Sequence, residues 1–369
     1  MTAIDITLIL YQRSSKFEVM NAVYTDLYHG FIDLGLKPNV VEIKDPQLDA
    51  SPFAPDFPLQ RIDADELDDL LNDNCQFLTD DHHSTIRLLG GSKRKIDNLT
   101  TWVTYFYGQK FIFEQYRNLP YALSYRERLK HSVVGLMPPL FSMKGARWYV
   151  GGLARTQILA QSLWTGLLLN RVYMLKCSGV IYIPVDPAHY DFSLDNQRAL
   201  KCLIFFGNNY DTDLKQLSDT VGLIQTIVPN IEFEAFGNYD QAALFEENTD
   251  IQIRFHNAVD RRRLSEIYNS CLFTICSVYN GNFEKVPIES LLTGTPVISY
   301  LQPFMEVTGE TSLVANIQNA GEVRSKVLKW VNNDLSLEKR RLKERILSFM
   351  GHRKVANDFI MHLTDFTQE

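Results

Sequence analysis

A carboxylate, Glu289, falls in the first turn of a helix that should open near Pro287, directly after a loop rich in Asn and Gly. A carboxylate accepts hydrogen bonds from two neighbouring hydroxyls, which suits a vicinal diol. At a helix N-terminus it also complements the macrodipole, a role that needs no ligand. Lys285 stands four residues earlier, where an ammonium either neutralises a phosphate or is simply solvated. The backbone at Val286 belongs to the same helix start, whose first N–H donors have no partner inside the helix. Asn208 and Asn209 follow a different strand and carry side-chain N–H groups suited to a phosphate oxygen or to a tight turn. An edge that combines a carboxylate with open N–H groups holds a sugar hydroxyl and a phosphate together.

All of these but the Asn pair lie in the run IRFHNAVDRRRLSEIYNSCLFTICSVYNGNFEKVPIESLLTGTPVI, from Ile253 to Ile298. Asp260–Ser270 predicts an amphipathic helix and Leu272–Ser277 a buried strand. Gly294-Thr295-Pro296 stops the helix that carries Glu289, and Val297-Ile298-Ser299 starts another strand. Elsewhere strands are expected at Ile4–Tyr11, Val40–Ile43, Cys75–Leu78, Thr101–Tyr107, Gly179–Ile183, Leu203–Phe206 and Ile231–Phe236. Helices are expected at Phe17–Leu34, Ile62–Leu71, Arg155–Leu169, Thr212–Val228, Ala320–Asn332, Leu337–Phe349 and Lys354–Phe366. Strand and helix in alternation build parallel α/β sheets. Pro184 to Gln197, with two prolines and several Asp, reads as a linker. The expected organisation is a Rossmann-like domain over 1–184, a second over 185–350, and a last helix over 351–369 that crosses back to the first. The two parallel sheets should face a cleft.

Of the 369 residues 45% are apolar, enough for two cores without covalent staples. A net charge of −7 disfavours bulk attraction to nucleic acid or to an anionic membrane; Ser92-Lys93-Arg94-Lys95 and Arg261-Arg262-Arg263 are local exceptions. Cys75, Cys177, Cys202, Cys271 and Cys276 are scattered and odd in number, and no pair has metal-ligand spacing. Buried free thiols in a reducing compartment are expected. Asp63-Ala64-Asp65 and Asp211-Thr212-Asp213 sit at helix starts where capping explains them, so no metal is expected. Asp5 interrupts the N-terminal apolar run, and no segment reaches the roughly 18 uncharged apolar residues that span a bilayer. The expectation is a cytoplasmic protein with neither signal peptide nor transmembrane segment.

Leu264-Ser265-Glu266-Ile267-Tyr268, then Phe283, Pro287, Glu289 and Gly294-Thr295-Pro296-Val297, form an ordered set. Ile183-Pro184-Val185-Asp186 with Phe192 beyond, and Ala160-Gln161-Ser162-Leu163-Trp164-Thr165 before, extend it. The set resembles the GT-B glycosyltransferases, most of all the large retaining class called family four, over about residues 155 to 335. The chain departs from that class in three places. The class has a Glu, seven residues and a second Glu; Glu289 matches the second, and the first falls at Gly281. The class has an Arg and a Lys after the first strand of its second domain, where this chain reads Phe206-Gly207-Asn208-Asn209-Tyr210. Ser14-Ser15-Lys16 replaces a glycine pair after the first strand.

The resemblance implies an enzyme, a glycosyltransferase that moves a sugar from a nucleotide-diphosphate sugar with retention, without a metal and with no cofactor besides that donor. It implies that Glu289 grips the ribose and that the main chain at Phe255 and His256 meets the base. Lys285, Asn208, Asn209 and the backbone at Val286 would then receive the diphosphate. His82 and His83 follow a first-half strand and are candidates for a sugar contact or plain surface; the class places its histidine after a later strand, where Tyr105-Phe106-Tyr107-Gly108 stands here. Lys144 and Arg147 are acceptor contacts or surface. The acceptor is left open among a glycan, a lipid-linked glycan, a protein and a nucleic acid. Two rival readings remain. One is a non-catalytic GT-B partner or chaperone of another transferase, favoured by the missing Glu and the missing Arg and Lys. The other is a phage-type transferase acting on nucleic-acid bases, favoured by the two basic runs and opposed by the net charge.

Overall fold

The computed structural model describes residues 5–12, 18–46, 55–71, 75–80, 85–86, 88–89, 98–104, 149–192, 198–207, 212–257, 259–278, 284–300 and 303–365. The chain divides into two compact units, one running to Val185 and resuming at Met350, the other Asp186–Phe349. The first contains β1 (Ile6–Tyr11), α1 (Glu18–Asp33), β2 (Asn39–Ile43), β3 (Gln60–Ile62), α2 (Leu67–Leu70), β4 (Gln76–Asp80), β5 (Leu99–Val103), β6 (Gln157–Ala160), α3 (Leu163–Tyr173) and β7 (Gly179–Val180). The second contains β8 (Lys201–Phe206), α4 (Leu214–Ile227), β9 (Glu232–Gly237), α5 (Tyr239–Glu247), β10 (Ile253–Phe255), α6 (Arg261–Ser270) and β11 (Phe273–Cys276). It continues through α7 (Lys285–Leu292), β12 (Val297–Ser299), α8 (Met305–Thr308), β13 (Val314–Asn316), α9 (Ala320–Asn332) and α10 (Ser336–Met350). The last helix, α11 (His352–Asp365), belongs to the first unit.

Each unit holds one sheet, of order β3-β2-β1-β4-β5-β6-β7 in the first and β10-β9-β8-β11-β12-β13 in the second. Every strand pair in both is parallel. Central strands covered on both faces need apolar side chains in both directions. That is why β1 (ITLILY) and β11 (FTIC) read as continuous apolar runs and are buried throughout.

Several boundaries differ from the sequence reading, three of them by more than a trimmed end. Arg155–Leu169 is not one helix. Gln157–Ala160 pairs with β5 as a strand, and the helix begins only after Ser162, whose hydroxyl accepts the Thr165 N–H at 3.0 Å. The cap stops the helix from extending backwards, and the freed apolar residues complete the sheet. Ile62–Leu71 divides as well. Ile62 pairs with Ile43, and the Glu66 carboxylate then accepts the Asp63 N–H at 2.7 Å at the start of a 3-10 turn, Ala64–Glu66, that precedes α2. The helix expected near Pro287 begins two residues earlier, at Lys285, because proline is tolerated within a first turn whose N–H groups have no helical partner. Of the strand expected at Thr101–Tyr107, residues 105–107 lie outside the described residues.

The closing helix is held tightly in the first unit. The Val185 N–H donates to Met350 O at 2.8 Å, and the His352 N–H returns a bond to Val185 O at 3.0 Å. Gly30 of α1 lies against the His352 carbonyl, where a Cβ would collide with backbone. His352 Nε2 meets the Asp33 carboxylate at 2.8 Å. Phe359 is buried edge-on against Trp102 at 5.3 Å between centroids, and Trp102 Nε1 donates to Ile181 O at 2.9 Å. Truncating a buried aromatic loses its transfer free energy and leaves a cavity. Phe359→Ala should therefore destabilise the protein by about 3–5 kcal/mol in a denaturant titration; a loss below about 1 kcal/mol would show that α11 is not part of this core.

Candidate functional site

In the second unit the chain steps outward from β8 through β9 to β10, then returns and steps the other way from β11 through β12 to β13. β8 and β11 are adjacent, so the connections leaving their C-terminal ends diverge. Parallel sheets bind ligands at such a switch point. The described residues nearest these ends are Gly207 and Thr212 after β8, and Ser277, Val278 and Glu284 after β11. The two connections are joined at their described residues: the Asp213 N–H donates to Ser277 O at 3.2 Å, and Thr212 forms an antiparallel bridge with Val278. Asp213 caps α4 through the Gln216 N–H at 3.0 Å and accepts the Tyr300 hydroxyl at 2.8 Å. The second Asp of Asp211-Thr212-Asp213 is thus engaged as a helix cap.

Helix α7 starts beside this point without a side-chain cap from its N-cap residue. The N-caps of α3, α4, α5, α6 and α9 are Ser162, Asp213, Asn238, Asp260 and Asn319, and each accepts a first-turn N–H through its side chain. Glu284, the N-cap of α7, makes no such bond, and Pro287 has no N–H to offer. The Val286 side chain packs against a cluster of Leu203, Phe236, Ile267, Tyr268 and Cys271. Its backbone N–H stands at the second helical position.

Glu289 is not in the first turn as expected: because α7 begins at Lys285 it lies one turn along the helix, beyond the reach of the macrodipole, and it is only 8% exposed. The Tyr190 hydroxyl donates to its Oε1 at 2.7 Å, and Lys285 Nζ lies 3.9 Å from the same oxygen. The Lys285 side chain is itself 5% exposed. Burial, and after it the charge of Glu289, pushes the Tyr268 phenol well above its ordinary value, so it stays a neutral O–H beside the carboxylate. The far end of α7 is clamped by Arg198. Its guanidinium donates to Tyr268 O at 3.3 Å, Cys271 O at 3.0 Å and Thr293 O at 3.2 Å, and also to Thr295 Oγ1. One cation thereby satisfies carbonyls at the C-terminal ends of both α6 and α7.

A second charged cluster lies beside β9. Glu234, buried, accepts from Lys201 Nζ at 2.7 Å, and its other oxygen meets His256 Nε2 at 2.8 Å. Burial alone would raise the Glu234 pKa, but the hydrogen bonds from Lys201 and His256 outweigh it and hold the carboxyl below its usual range. The Lys201 ammonium is held above its usual value chiefly by the same hydrogen bond. Phe255 belongs to the edge strand β10, and its ring packs edge-on to Tyr239 at 5.2 Å. The His256 N–H donates inward to Ala235 O at 2.7 Å. Alternation along a parallel strand therefore turns the N–H and C=O of Phe255 outward, away from β9.

The structure brings Lys285, Val286 and Glu289 together on α7 and places Phe255 on the edge strand. Asn208, Asn209, His82, His83, Lys144, Arg147 and Lys16 lie outside the described residues. Arg261-Arg262-Arg263 opens α6, where Asp260 caps the helix and Arg263 pairs with Glu266 at 2.6 Å. Cys202, Cys271 and Cys276 are buried and free; burial raises all three thiols, Cys271 to about 12. Among the described residues no group of three His, Cys, Asp or Glu is placed to hold a metal ion, and no helix is long and apolar enough to cross a membrane. Sequence reasoning missed Tyr190, Arg198 and the Glu234 cluster. The one available signal was a carboxylate between Phe233 and Ala235 in a strand, since a buried charge demands a partner.

No family model and no curated protein sequence matches the chain. Solved structures do match over its whole length. AviGT4, a glycosyltransferase involved in avilamycin A biosynthesis, aligns with a TM-score of 0.56 at 13% identity, covering 98% of this chain and 97% of that one. Sucrose-phosphate synthase from Thermosynechococcus elongatus aligns at 0.62 and 13% identity, covering 99% and 100%. An α-glucosyltransferase in complex with UDP and a 13-mer DNA containing a HMU base aligns at 0.64 and 10% identity, again covering 99% and 100%. The chain has the GT-B fold that these glycosyltransferases share.

The Glu234 cluster gives a pH test. A carboxyl whose folded pKa is depressed contributes stability that is complete above its unfolded value, near 4.5, and is lost as pH falls through the folded pKa. Wild type should exceed Glu234→Gln in stability by about 1–3 kcal/mol near neutral pH, and the gap should close as the pH is taken below 4.5. A gap that is constant from pH 7 to pH 3 in denaturant titrations would contradict the assignment.

Proposed function

We propose that this chain is a glycosyltransferase that takes a sugar from a nucleotide-diphosphate sugar, with retention and without a metal. The observation that carries the reading is Glu289. It is a nearly buried carboxylate one turn into the uncapped helix α7, beside the β8–β11 switch point of a GT-B fold. A buried carboxylate pairs well with a ribose diol, and the open start of α7 suits the diphosphate. The outward N–H and C=O of Phe255 offer the base one donor and one acceptor.

As the glycosidic bond to the donor breaks, positive charge builds on the sugar and negative charge on the departing diphosphate. Donors already oriented at the developing negative charge lower that barrier by several kcal/mol. Lys285 is the residue we assign to that charge. At rest it balances Glu289 at 3.9 Å, an ion-pair distance too long for a hydrogen bond. The acceptor is left to experiment. A panel should include hydroxymethylated DNA, because a structural neighbour was solved with DNA containing a HMU base.

Three outcomes are expected. Glu289→Gln should weaken nucleotide binding by about 1–3 kcal/mol; equal affinity in calorimetry would remove the ribose-binding role. Lys285→Ala should lower kcat far more than it weakens nucleoside binding, the signature of stabilisation confined to the transition state. Turnover should survive EDTA, and complete loss restored by manganese or magnesium would overturn the metal-free mechanism. If the wild type neither hydrolyses nor transfers any donor across a broad panel, the non-catalytic partner becomes the better reading.

A further inference from the structure

We propose that Tyr190 is a positioning residue for the Glu289 carboxylate, and that through it the site distinguishes a vicinal diol from its deoxy analogue. The inference rests on the diol-binding reading of Glu289. Tyr190 lies near the start of the second unit, 99 residues from Glu289 in the chain, and its hydroxyl donates to Oε1 at 2.7 Å. Both side chains are buried.

The segment that carries Tyr190 is pinned. The Asp191 N–H donates to Ser265 Oγ at 3.0 Å, Asn269 Nδ2 donates to Asp191 O at 2.7 Å, and the Ala188 N–H donates to Asp186 Oδ1 at 2.9 Å. A tyrosine fixed at its backbone gives its hydroxyl a fixed place. That matters because the last torsion of a glutamate is broad and roughly two-fold, so the carboxylate plane is not set by its own rotamer. One short donor on Oε1 selects a single rotation of that plane. The remaining acceptor positions of the carboxylate are then held at a constant separation, which is what two adjacent hydroxyls require.

Lys285 cannot do this work. An ammonium 3.9 Å away attracts the carboxylate without directing its lone pairs. Packing does not require the hydroxyl either, since a phenylalanine would fill the same space. What the hydroxyl adds is orientation of Glu289.

The test begins with calorimetric titration of the whole chain with UDP, GDP and ADP, followed by the 2′,3′-dideoxy form of the strongest binder. Wild type should prefer the ribo form by about tenfold or more, as expected for hydrogen bonds to a charged acceptor. Tyr190→Phe should keep the dideoxy affinity of wild type while its preference shrinks to within about threefold. The double variant Tyr190→Phe/Glu289→Gln should bind the ribo form no more weakly than Glu289→Gln alone, because the tyrosine acts through the carboxylate. A Tyr190→Phe protein that keeps the full preference, loses dideoxy binding as well, or adds its defect to that of Glu289→Gln would overturn the inference and leave the Glu289 reading intact. No preference in the wild type, or no nucleotide binding at millimolar concentration, would remove both.

Discussion

A carboxylate nearly withdrawn from water must be balanced where it stands, and much of the second unit is arranged around that requirement at Glu289. Burial of an unpaired charge costs several kcal/mol even after the protein relaxes. Glu289 avoids it with one hydroxyl from Tyr190 and one ammonium from Lys285 on the same helix face. Each has a different reach. The hydroxyl gives direction, and the ammonium gives charge. Arg198 then fixes the opposite end of α7 by collecting carbonyls from two helix C-termini. The carboxylate therefore sits on a helix whose C-terminus is held and whose N-cap side chain makes no capping bond. That asymmetry leaves attractive free energy available to an anion at one end only.

The same physics, with different neighbours, produces another result at Glu234. It too is buried, but it is held by two strong donors, Lys201 and His256, which use both of its oxygens. Such a carboxylate is satisfied and has little to offer a ligand. Glu289 has a neutral donor on one oxygen, a second neutral phenol, Tyr268, beside it, and its cation only at ion-pair distance. Two glutamates of similar burial are thus distinguished by how completely their partners use them. The Glu234 cluster fastens β8, β9 and the residue after β10 across three strands, and so steadies the edge strand that presents the Phe255 backbone.

The parallel topology explains why the site falls where it does. In the second sheet only β8 and β11 are neighbours whose following segments leave in opposite directions. The polypeptide itself opens the crevice, and two helices, α4 and α7, begin at its rim. One is capped by its own Asp213, which Tyr300 holds in place; the other is not capped by a side chain. The first unit repeats the arrangement between β1 and β4, and it takes back the last helix, α11, at a glycine that lets two backbones touch.

Alternating apolar runs in the sequence determined two parallel α/β sheets, since runs of four to six apolar residues between helical patterns have few other ways to be buried. The spacing of Leu264, Tyr268, Glu289 and Gly294-Thr295-Pro296 also pointed to α7 and to the carboxylate on it. Local chemistry was legible wherever one residue decides it, as with Gly294 at φ +79°, which only glycine adopts freely. It was misleading at Arg155–Leu169, where helical periodicity hid a strand that exists only because β5 is there to pair with it. The partners of Glu289 and Glu234 were not legible. Tyr190 and Glu289 lie 99 residues apart, and Lys201 and Glu234 lie 33 apart. A buried charge states in the sequence that a partner must exist. Which residue answers is settled only when the sheet has formed and brought distant segments within hydrogen-bond reach, because the interaction falls away within a few ångströms and carries no trace in the spacing.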